Sequence, residues 1–286
     1  MLSLLLAAQL TFAESDARIA YDTAKGLVES HTPRESGTLG SRRAAMYILD
    51  AVSALGADVR LDSFTAKTPK GERQFTNVEC SIVSNPSNKW LVVVSHFDTK
   101  AGVDCPGAND GASTSGLLAA LAAKLSVSRP QNVNILFAWV DGEECFDFYS
   151  PSDGLWGSRH LAAKLKAQGA RVRAVINVDM LGDKDLKVMI PVNTHGAFRR
   201  GILKLAAQKK VTDRVVAMDD VVTDDHVPFM EAGFKAVNLI DFEYGSAPGL
   251  NDYWHTPEDT MDKISVGSLK FSGELLSWII ESLSVQ

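Results

Sequence analysis

Acidic residues and histidines follow four apolar segments of the sequence, each at the point where a segment ends. The segments are KWLVVVSHFD, NVNILFAWVDGEE, RAVINVDMLGD and KAVNLIDFEY. The polar residues at their ends are His96 and Asp98, residues 141–144, Asp179, and Asp241 with Glu243. Carboxylates are costly to bury without a compensating positive charge. If these segment ends meet, the carboxylates predict a cation bound between them.

The residue types suit zinc, which binds histidine nitrogen and carboxylate oxygen and in catalytic sites keeps one position open for water. The candidate ligands are His96, Asp98, Asp110, Glu143, Glu144, Asp179 and His255. Adjacent glutamates at a strand end point in different directions, so one can bind metal while the other acts as a general base. Taken singly, each motif is as well explained by a turn or an ordinary histidine. Their succession at strand ends favours the metal.

The motifs SHFDT, GANDGAS, DGEE, NVDMLGD and WHTPEDT occur in this order. In this the chain resembles the zinc aminopeptidase superfamily, which has a phosphorylase/hydrolase-like α/β fold, from about Gly40 to the C-terminus. The resemblance implies one metal held by three ligands, Asp110, Glu144 and His255. It implies a second metal held by His96 and Asp179, with Asp110 bridging. Glu143 would be the general acid/base, and Asp98 would orient His96 from outside the ligand shell.

Two further segments, DGEECFDFYSPSDGLWGSRHLAAKL and TDDHVPFMEAGF, resemble glutaminyl cyclases, both animal and bacterial. Those enzymes share the fold, use one zinc ion and convert an N-terminal glutamine into pyroglutamate with release of ammonia. The resemblance implies that Glu143 shuttles the proton, that Asp179 and Asp224 are hydrogen-bonded acids, and that Trp254 walls the substrate pocket. Tyr149 departs from the animal cyclases, which carry tryptophan there.

We therefore expect a zinc-dependent glutaminyl-peptide cyclotransferase that acts on the N-termini of peptides and proteins. Glu143 and Asp224 would carry the proton chemistry, and Trp254 with Tyr149 would enclose the substrate side chain. The alternative is a zinc aminopeptidase, because the chain keeps the ligand types for a second metal. A binding domain without activity is a third class, which the presence of Glu143 disfavours. Residues 224–226 could also simply cap the helix that follows, and Trp254 could be ordinary core.

The four apolar segments alternate with amphipathic helical segments, which predicts an α/β domain with a mostly parallel, twisted sheet and helices on both faces. The zinc site would lie at the carboxyl ends of the strands. The helical segments are STSGLLAALAAKLSV, GSRHLAAKLKAQG, RRGILKLAAQKK and SLKFSGELLSWIIESL. Residues 69–73 and the stretch YGSAPGLNDYW are expected to be irregular surface segments.

The chain has 286 residues, and its net charge of −6 favours neither nucleic acid nor an anionic membrane as a partner. Residues 2–12 are apolar but too few to span a bilayer, and they resemble the core of a secretory signal without its basic start. We expect a signal or apolar segment at 1–14 and one catalytic domain at 15–286. The protein would be secreted or periplasmic, or otherwise cytoplasmic.

The alternative for the N-terminal segment is a first amphipathic helix of the domain or a misassigned start. The chain has three cysteines, Cys80, Cys105 and Cys145, without a CxxC spacing. They allow at most one disulfide, and three buried free thiols are equally compatible with the sequence.

Overall fold

The computed structural model of the chain describes residues 10–84, 87–130 and 132–284. Within these ranges the helices are α1 (Glu14–His31), α2 (Leu39–Ser53), α3 (Thr114–Val127), α4 (Trp156–Ala167), α5 (Gly196–Lys209), α6 (His226–Glu231) and α7 (Val266–Ser284). The strands are β1 (Asp58–Thr68), β2 (Gly71–Ile82), β3 (Lys89–His96), β4 (Asn134–Val140), β5 (Arg171–Asp179), β6 (Val188–Ile190), β7 (Val215–Ala217) and β8 (Ala236–Ile240).

The strands form one sheet in the order β1-β2-β4-β3-β5-β8-β6-β7. Its centre is parallel, because β3 pairs in parallel with both β4 and β5, and β5 pairs in parallel with β8. These four strands are the four apolar segments, so their carboxyl ends lie at one edge of the sheet. The predicted α/β fold with a mostly parallel sheet is confirmed.

Both faces of the sheet are buried, which explains why the central strands are mostly apolar. Leu91 and Val93 belong to the larger core, whereas Val92 and Val94 belong to a second, smaller core. This alternation follows from the two-residue period of a strand. Helices α1, α2, α3, α5 and α7 supply side chains to the larger core, and α4 and α6 supply them to the smaller one. The prediction of helices on both faces is confirmed.

The prediction of an irregular loop at 69–73 was wrong. Strands β1 and β2 pair in antiparallel fashion up to Thr68 and Gly71, so only two residues make the turn. Gly71 has a φ of +95°, a conformation that a side chain would strain, and it lets the chain reverse within this short hairpin.

The first described residues, from residue 10 onwards, pack onto the domain. Residues 1–9 of the expected signal segment lie outside the described residues. Phe12 is fully buried against Gly273 of α7, and α1 begins at Glu14. The division into a signal or apolar segment at 1–14 and a catalytic domain at 15–286 stays a prediction. Cys80, Cys105 and Cys145 are free and buried, as one of the two predicted alternatives had it.

No helix in the described part of the chain has the length and apolar character needed to cross a membrane.

A close helix contact makes Gly116 a sensitive position. A Cβ atom at Gly116 in α3 would lie 2.1 Å from the backbone oxygen of Ala20 in α1, so the helices would have to separate. We expect Gly116→Ala to lower the free energy of unfolding by about 1–3 kcal/mol, as overpacking does. Gly201→Ala in α5 is the matched control, because a Cβ there meets no atom within 4 Å. The control should stabilise the protein by about 0.5–1 kcal/mol in urea unfolding.

Candidate metal centre and active site

Three parallel strands and one turn bring the predicted ligands together. His96 is the last residue of β3, Asp179 is the last residue of β5, and Glu144 follows the end of β4. Asp110 lies in the turn Ala108–Ser113, which leads into α3, and His255 lies in the loop between β8 and α7. All five side chains are largely buried at the carboxyl edge of the sheet.

These side chains form two groups that share Asp110. In the first, His255 Nε2 lies 2.8 Å from Glu144 Oε1 and 3.3 Å from Asp110 Oδ2. In the second, His96 Nε2 lies 3.0 Å from Asp110 Oδ1 and 3.1 Å from Asp179 Oδ1. Within each group the donor atoms all lie within 4.8 Å of one another, close enough to hold one metal ion. The two groups are the two ligand sets that the sequence resemblance implies.

The chemistry of the donors fits zinc. Three buried carboxylates and two imidazoles meet in one place, and Glu144 Oε2 and His96 Nδ1 are buried without a hydrogen bond. Burial lowers the pKa of His255, but its hydrogen bonds to Asp110 and Glu144 outweigh burial and raise that pKa to about 10. In the absence of a cation, protonated imidazoles thus balance the carboxylates. A bound zinc ion would take over that role, because metal-binding histidine must be neutral.

Asp179 has the same dependence on its neighbours. Burial raises the pKa of Asp179 to about 7, although the hydrogen bond with His96 opposes the shift. In the absence of a cation, the protonated and ionised forms of Asp179 are therefore about equally favoured at neutral pH. This is consistent with a residue that accommodates either a proton or a metal ion.

A carboxylate that the sequence analysis did not single out holds the turn carrying Asp110. Asp259 accepts hydrogen bonds from the backbone amides of Asn109 and Asp110, at 2.7 and 3.2 Å, and from the Tyr244 hydroxyl at 2.7 Å. Gly111, with a φ of +88°, lets the turn pass close to His96, since a Cβ there would lie 3.1 Å from the imidazole. Asp259 belongs to the quoted motif WHTPEDT, which was the available signal.

Asp98 has a similar function for the two glutamates. Its carboxylate accepts the backbone amides of Glu143 and Glu144, each at 3.1 Å, and the Ser36 hydroxyl at 2.6 Å. The closest approach of Asp98 to His96 Nδ1 is 3.7 Å, longer than a hydrogen bond. The contacts of Asp98 thus fix the backbone of the glutamate pair, and its orientation of His96 stays a prediction.

The two glutamates point to different partners, as the sequence predicts. Glu144 faces His255, whereas Glu143 Oε1 accepts a hydrogen bond of 2.8 Å from the Tyr149 hydroxyl. Burial, and then the charge of Glu144, raise the pKa of Glu143 well above its ordinary value. Burial and the nearby carboxylates also raise the pKa of Tyr149, so its hydroxyl keeps its proton and is the donor.

A pocket of about 350 Å³ opens beside the first ligand group. Its polar wall includes Glu143, Asp179 and Asp224, and its apolar wall includes Tyr149, Val221, Val222, Ile240, Phe242 and Trp254. The Trp254 ring stacks on the His255 imidazole with centroids 4.0 Å apart. Both predicted substrate-contacting residues, Trp254 and Tyr149, therefore line the pocket. A larger cleft of about 750 Å³ near the start of α7 contains none of the predicted site residues.

Asp224 is held by Asn238, which is itself held by Asn177, and the sequence analysis missed both asparagines. Asn238 Nδ2 donates to Asp224 Oδ2 at 2.7 Å, and Asn177 Nδ2 donates to Asn238 Oδ1 at 3.0 Å. The two asparagines pair directly across β5 and β8. Buried amides in the middle of apolar strands were the available signal, because buried polar groups need partners.

The fourth strand end differs from the expected convergence. Asp241 accepts the backbone amides of Lys187 and Glu243, and Glu243 forms an ion pair with the Lys187 side chain. These contacts compensate both carboxylates locally. The end of β8 contributes Phe242 to the pocket and no carboxylate to either ligand group.

Comparisons with known proteins identify similar families and folds. The sequence profile of peptidase family M28 matches residues 77–279. The glutaminyl-peptide cyclotransferase of Bos taurus is 29% identical over 284 residues, which cover 82% of this chain and 75% of that protein.

Two solved structures are similar over nearly their whole length. The crystal structure of an Acidobacteriales bacterium glutaminyl cyclase is 30% identical, with a TM-score of 0.90, and the match covers 100% of this chain and 99% of that one. A Zn-dependent exopeptidase from Parabacteroides distasonis is 20% identical, with a TM-score of 0.84 and coverage of 96% and 99%. The exopeptidase supports the fold alone.

Because Asp110 belongs to both ligand groups, its removal tests the whole centre. We expect Asp110→Ala, Glu144→Ala and His255→Ala to lose stoichiometric zinc, since each leaves the remaining carboxylates without a complete ligand set. Zinc per chain is measured by elemental analysis after metal loading and dialysis. Asp50→Ala, a change at an exposed position of α2, should bind zinc like the wild type. If all three ligand variants retain one zinc per chain, the assignment is wrong.

Proposed function

The chain belongs to peptidase family M28, and we propose that within this family it is a zinc-dependent glutaminyl-peptide cyclotransferase. Its substrates would be peptides and proteins that begin with glutamine, and its products pyroglutamyl peptides and ammonia. The observation that carries the proposal is the position of Glu143, which lines an aromatic-walled pocket directly beside the group Asp110, Glu144 and His255. The similarity to the bovine and acidobacterial cyclases supports it further.

The cyclisation requires one proton transfer and the exclusion of water. Asp110, Glu144 and His255 would hold the zinc ion, which when bound polarises the γ-carboxamide of the substrate. The Glu143 carboxylate accepts a proton from the α-amine as the amine nitrogen attacks the γ-carbonyl carbon. Glu143 then donates this proton to the departing nitrogen as the carbon–nitrogen bond breaks and ammonia leaves.

The pocket walls favour cyclisation over hydrolysis. Val222, Phe242 and Trp254 present apolar surface around the position of the glutamine side chain, which limits the access of water. Asp224 is fixed by Asn238 and raises the proton affinity of Glu143 through its nearby charge. We propose that Asp224 assists the proton transfer by Glu143 in this way, and that Asp179 completes the same acidic network.

A zinc aminopeptidase is the second candidate, and one observation favours it. His96, Asp110 and Asp179 form a complete second ligand group next to the first. The two groups would hold two metal ions, which would supply Lewis-acid activation of a water molecule. Glu143 would accept a proton from that water as its oxygen bonds to the scissile carbonyl carbon, and would pass the proton to the amine that leaves as the peptide bond breaks. One zinc ion per chain belongs to the cyclase proposal, and two belong to this alternative.

We further propose that the protein is exported, to the periplasm or the medium, and that a segment near residues 1–14 directs this. The apolar character of residues 2–12 supports the proposal. N-terminal sequencing of the protein purified from its native cells tests it. An intact Met1 in protein from the cytoplasmic fraction would contradict it.

The first functional test is Glu143→Gln. Glutamine fills the same space but cannot accept a proton, so we expect zinc binding to remain and the release of ammonia from a Gln-initiated peptide to fall about 10²–10⁴-fold. Glu72→Gln, at an exposed position of β2, serves as the control with unchanged turnover. Turnover at the wild-type rate in Glu143→Gln would remove Glu143 from the mechanism.

The second test separates the two chemistries. For a one-zinc cyclase we expect His96→Ala to keep one zinc per chain and measurable cyclisation, and Asp179→Asn to reduce activity more strongly. For a two-metal aminopeptidase, His96→Ala would lower the metal content and hydrolysis together, because the water loses one of two activating ions. The assays are elemental analysis, ammonia release from a Gln-initiated peptide and amino acid release from a Leu-initiated peptide. Two zinc ions with faster Leu-peptide hydrolysis would reverse our assignment.

A further inference from the structure

In the loop between β4 and α4, residues 143–155 are folded together around one buried carboxylate. Asp153 accepts hydrogen bonds from three successive backbone amides, those of Phe146, Asp147 and Phe148. The ends of the loop are joined by a hydrogen bond of 3.0 Å from the Leu155 amide to the Glu143 carbonyl. A loop tied in this way holds its side chains in place, because few of its backbone groups depend on water.

Tyr149 is the side chain that this loop presents to the site. Its hydroxyl donates to Glu143 Oε1 at 2.8 Å. Its ring packs on Gly154, where a Cβ atom would lie 2.7 Å from the ring, and Gly154 has a φ of +82° that favours glycine. The ring therefore packs against a position where only glycine leaves enough space. In this position of the ring, the hydroxyl lies within hydrogen-bond distance of the Glu143 carboxylate.

We propose that Tyr149 is a positioning residue, whose hydroxyl fixes the Glu143 carboxylate so that its second oxygen is turned to the substrate amine. The inference rests on the proposed function, in which Glu143 moves the proton. This role differs from the one that the sequence resemblance implies for Tyr149, which is to enclose the substrate side chain with its aromatic ring. The hydroxyl is what a tryptophan at the same position would lack in this geometry.

The surroundings of Glu143 explain why its carboxylate needs the hydrogen bond from Tyr149. Its backbone amide is held by Asp98, but its carboxylate can still rotate about the last bonds of the side chain. A free carboxylate this close to Glu144 and the metal ligands could turn towards a bound cation and become a further ligand. A neutral donor on Oε1 opposes that rotation and leaves one oxygen for the proton transfer.

Two substitutions separate the hydroxyl from the ring. Tyr149→Phe removes only the hydroxyl, so we expect kcat for a Gln-initiated peptide to fall about tenfold while KM stays within about twofold. Tyr149→Leu also removes the ring from the pocket wall, so KM should rise in addition. Tyr47→Phe is the matched control, because it removes a tyrosine hydroxyl whose hydrogen bond, to Thr23 O at 3.4 Å, lies outside the site.

Zinc content and thermal midpoint are measured for every variant, so that loss of metal or of folding is recognised. A tenfold loss of kcat in Tyr149→Phe, with unchanged zinc and KM, supports the inference. Wild-type kcat in Tyr149→Phe, or a change confined to KM, overturns it and leaves Tyr149 as a wall of the pocket. If the wild-type enzyme itself releases no ammonia from the peptide, it is the proposed function that fails. The two failures are thus distinguishable.

Discussion

The structure depends on the cost of burying several carboxylates in one place. Asp110, Glu144 and Asp179 meet at the carboxyl edge of a parallel sheet, where two buried faces exclude water from the strands beneath them. A group of like charges persists there only if positive charge lies among them. His96 and His255 can supply it as protonated imidazoles, and a zinc ion supplies more charge at a single point. This need for positive charge explains why carboxylates and imidazoles that are far apart in sequence lie together at one position, each supplied by a different element.

A second layer of the site acts on the backbone and not on the ligand atoms. Two buried carboxylates, Asp98 and Asp259, each accept hydrogen bonds from two successive backbone amides. The amides are those of Glu143 and Glu144 in the first case and those of Asn109 and Asp110 in the second. In each pair the second residue is a proposed metal ligand. Fixing its backbone orients the side chain before any ion binds, which is the preorganisation that catalytic and metal sites require.

The sequence predicted those features that depend on local pattern. Apolar runs predicted the central parallel strands, and the acidic residues and histidines at their ends predicted a metal site, because neighbouring parallel strands end at the same edge. The division of the ligands into two groups came from the family resemblance. For long-range hydrogen bonds the sequence shows at most that a polar residue needs a partner, and it does not show which partner. Asn177 and Asn238 become partners only once β5 lies beside β8, and Asp259 reaches the turn at Asp110 across 149 positions of the chain. The three-residue strands β6 and β7 carry too few residues for a period to be recognised.

The reaction is decided by the surroundings of Glu143 more than by the ligands. Peptidase and cyclase chemistry can use the same acidic residue and the same first ligand group, and they differ in the nucleophile whose proton Glu143 accepts. An open, wet site offers water to the metal, whereas an apolar pocket offers the amine of the bound peptide itself. Here Trp254 and Phe242 line the pocket beside the proposed metal ligands, and the Tyr149 hydroxyl donates a hydrogen bond to one oxygen of Glu143. In our proposal the remaining oxygen faces the substrate, and the apolar side chains of the pocket limit the access of water, so that the balance shifts from hydrolysis to cyclisation.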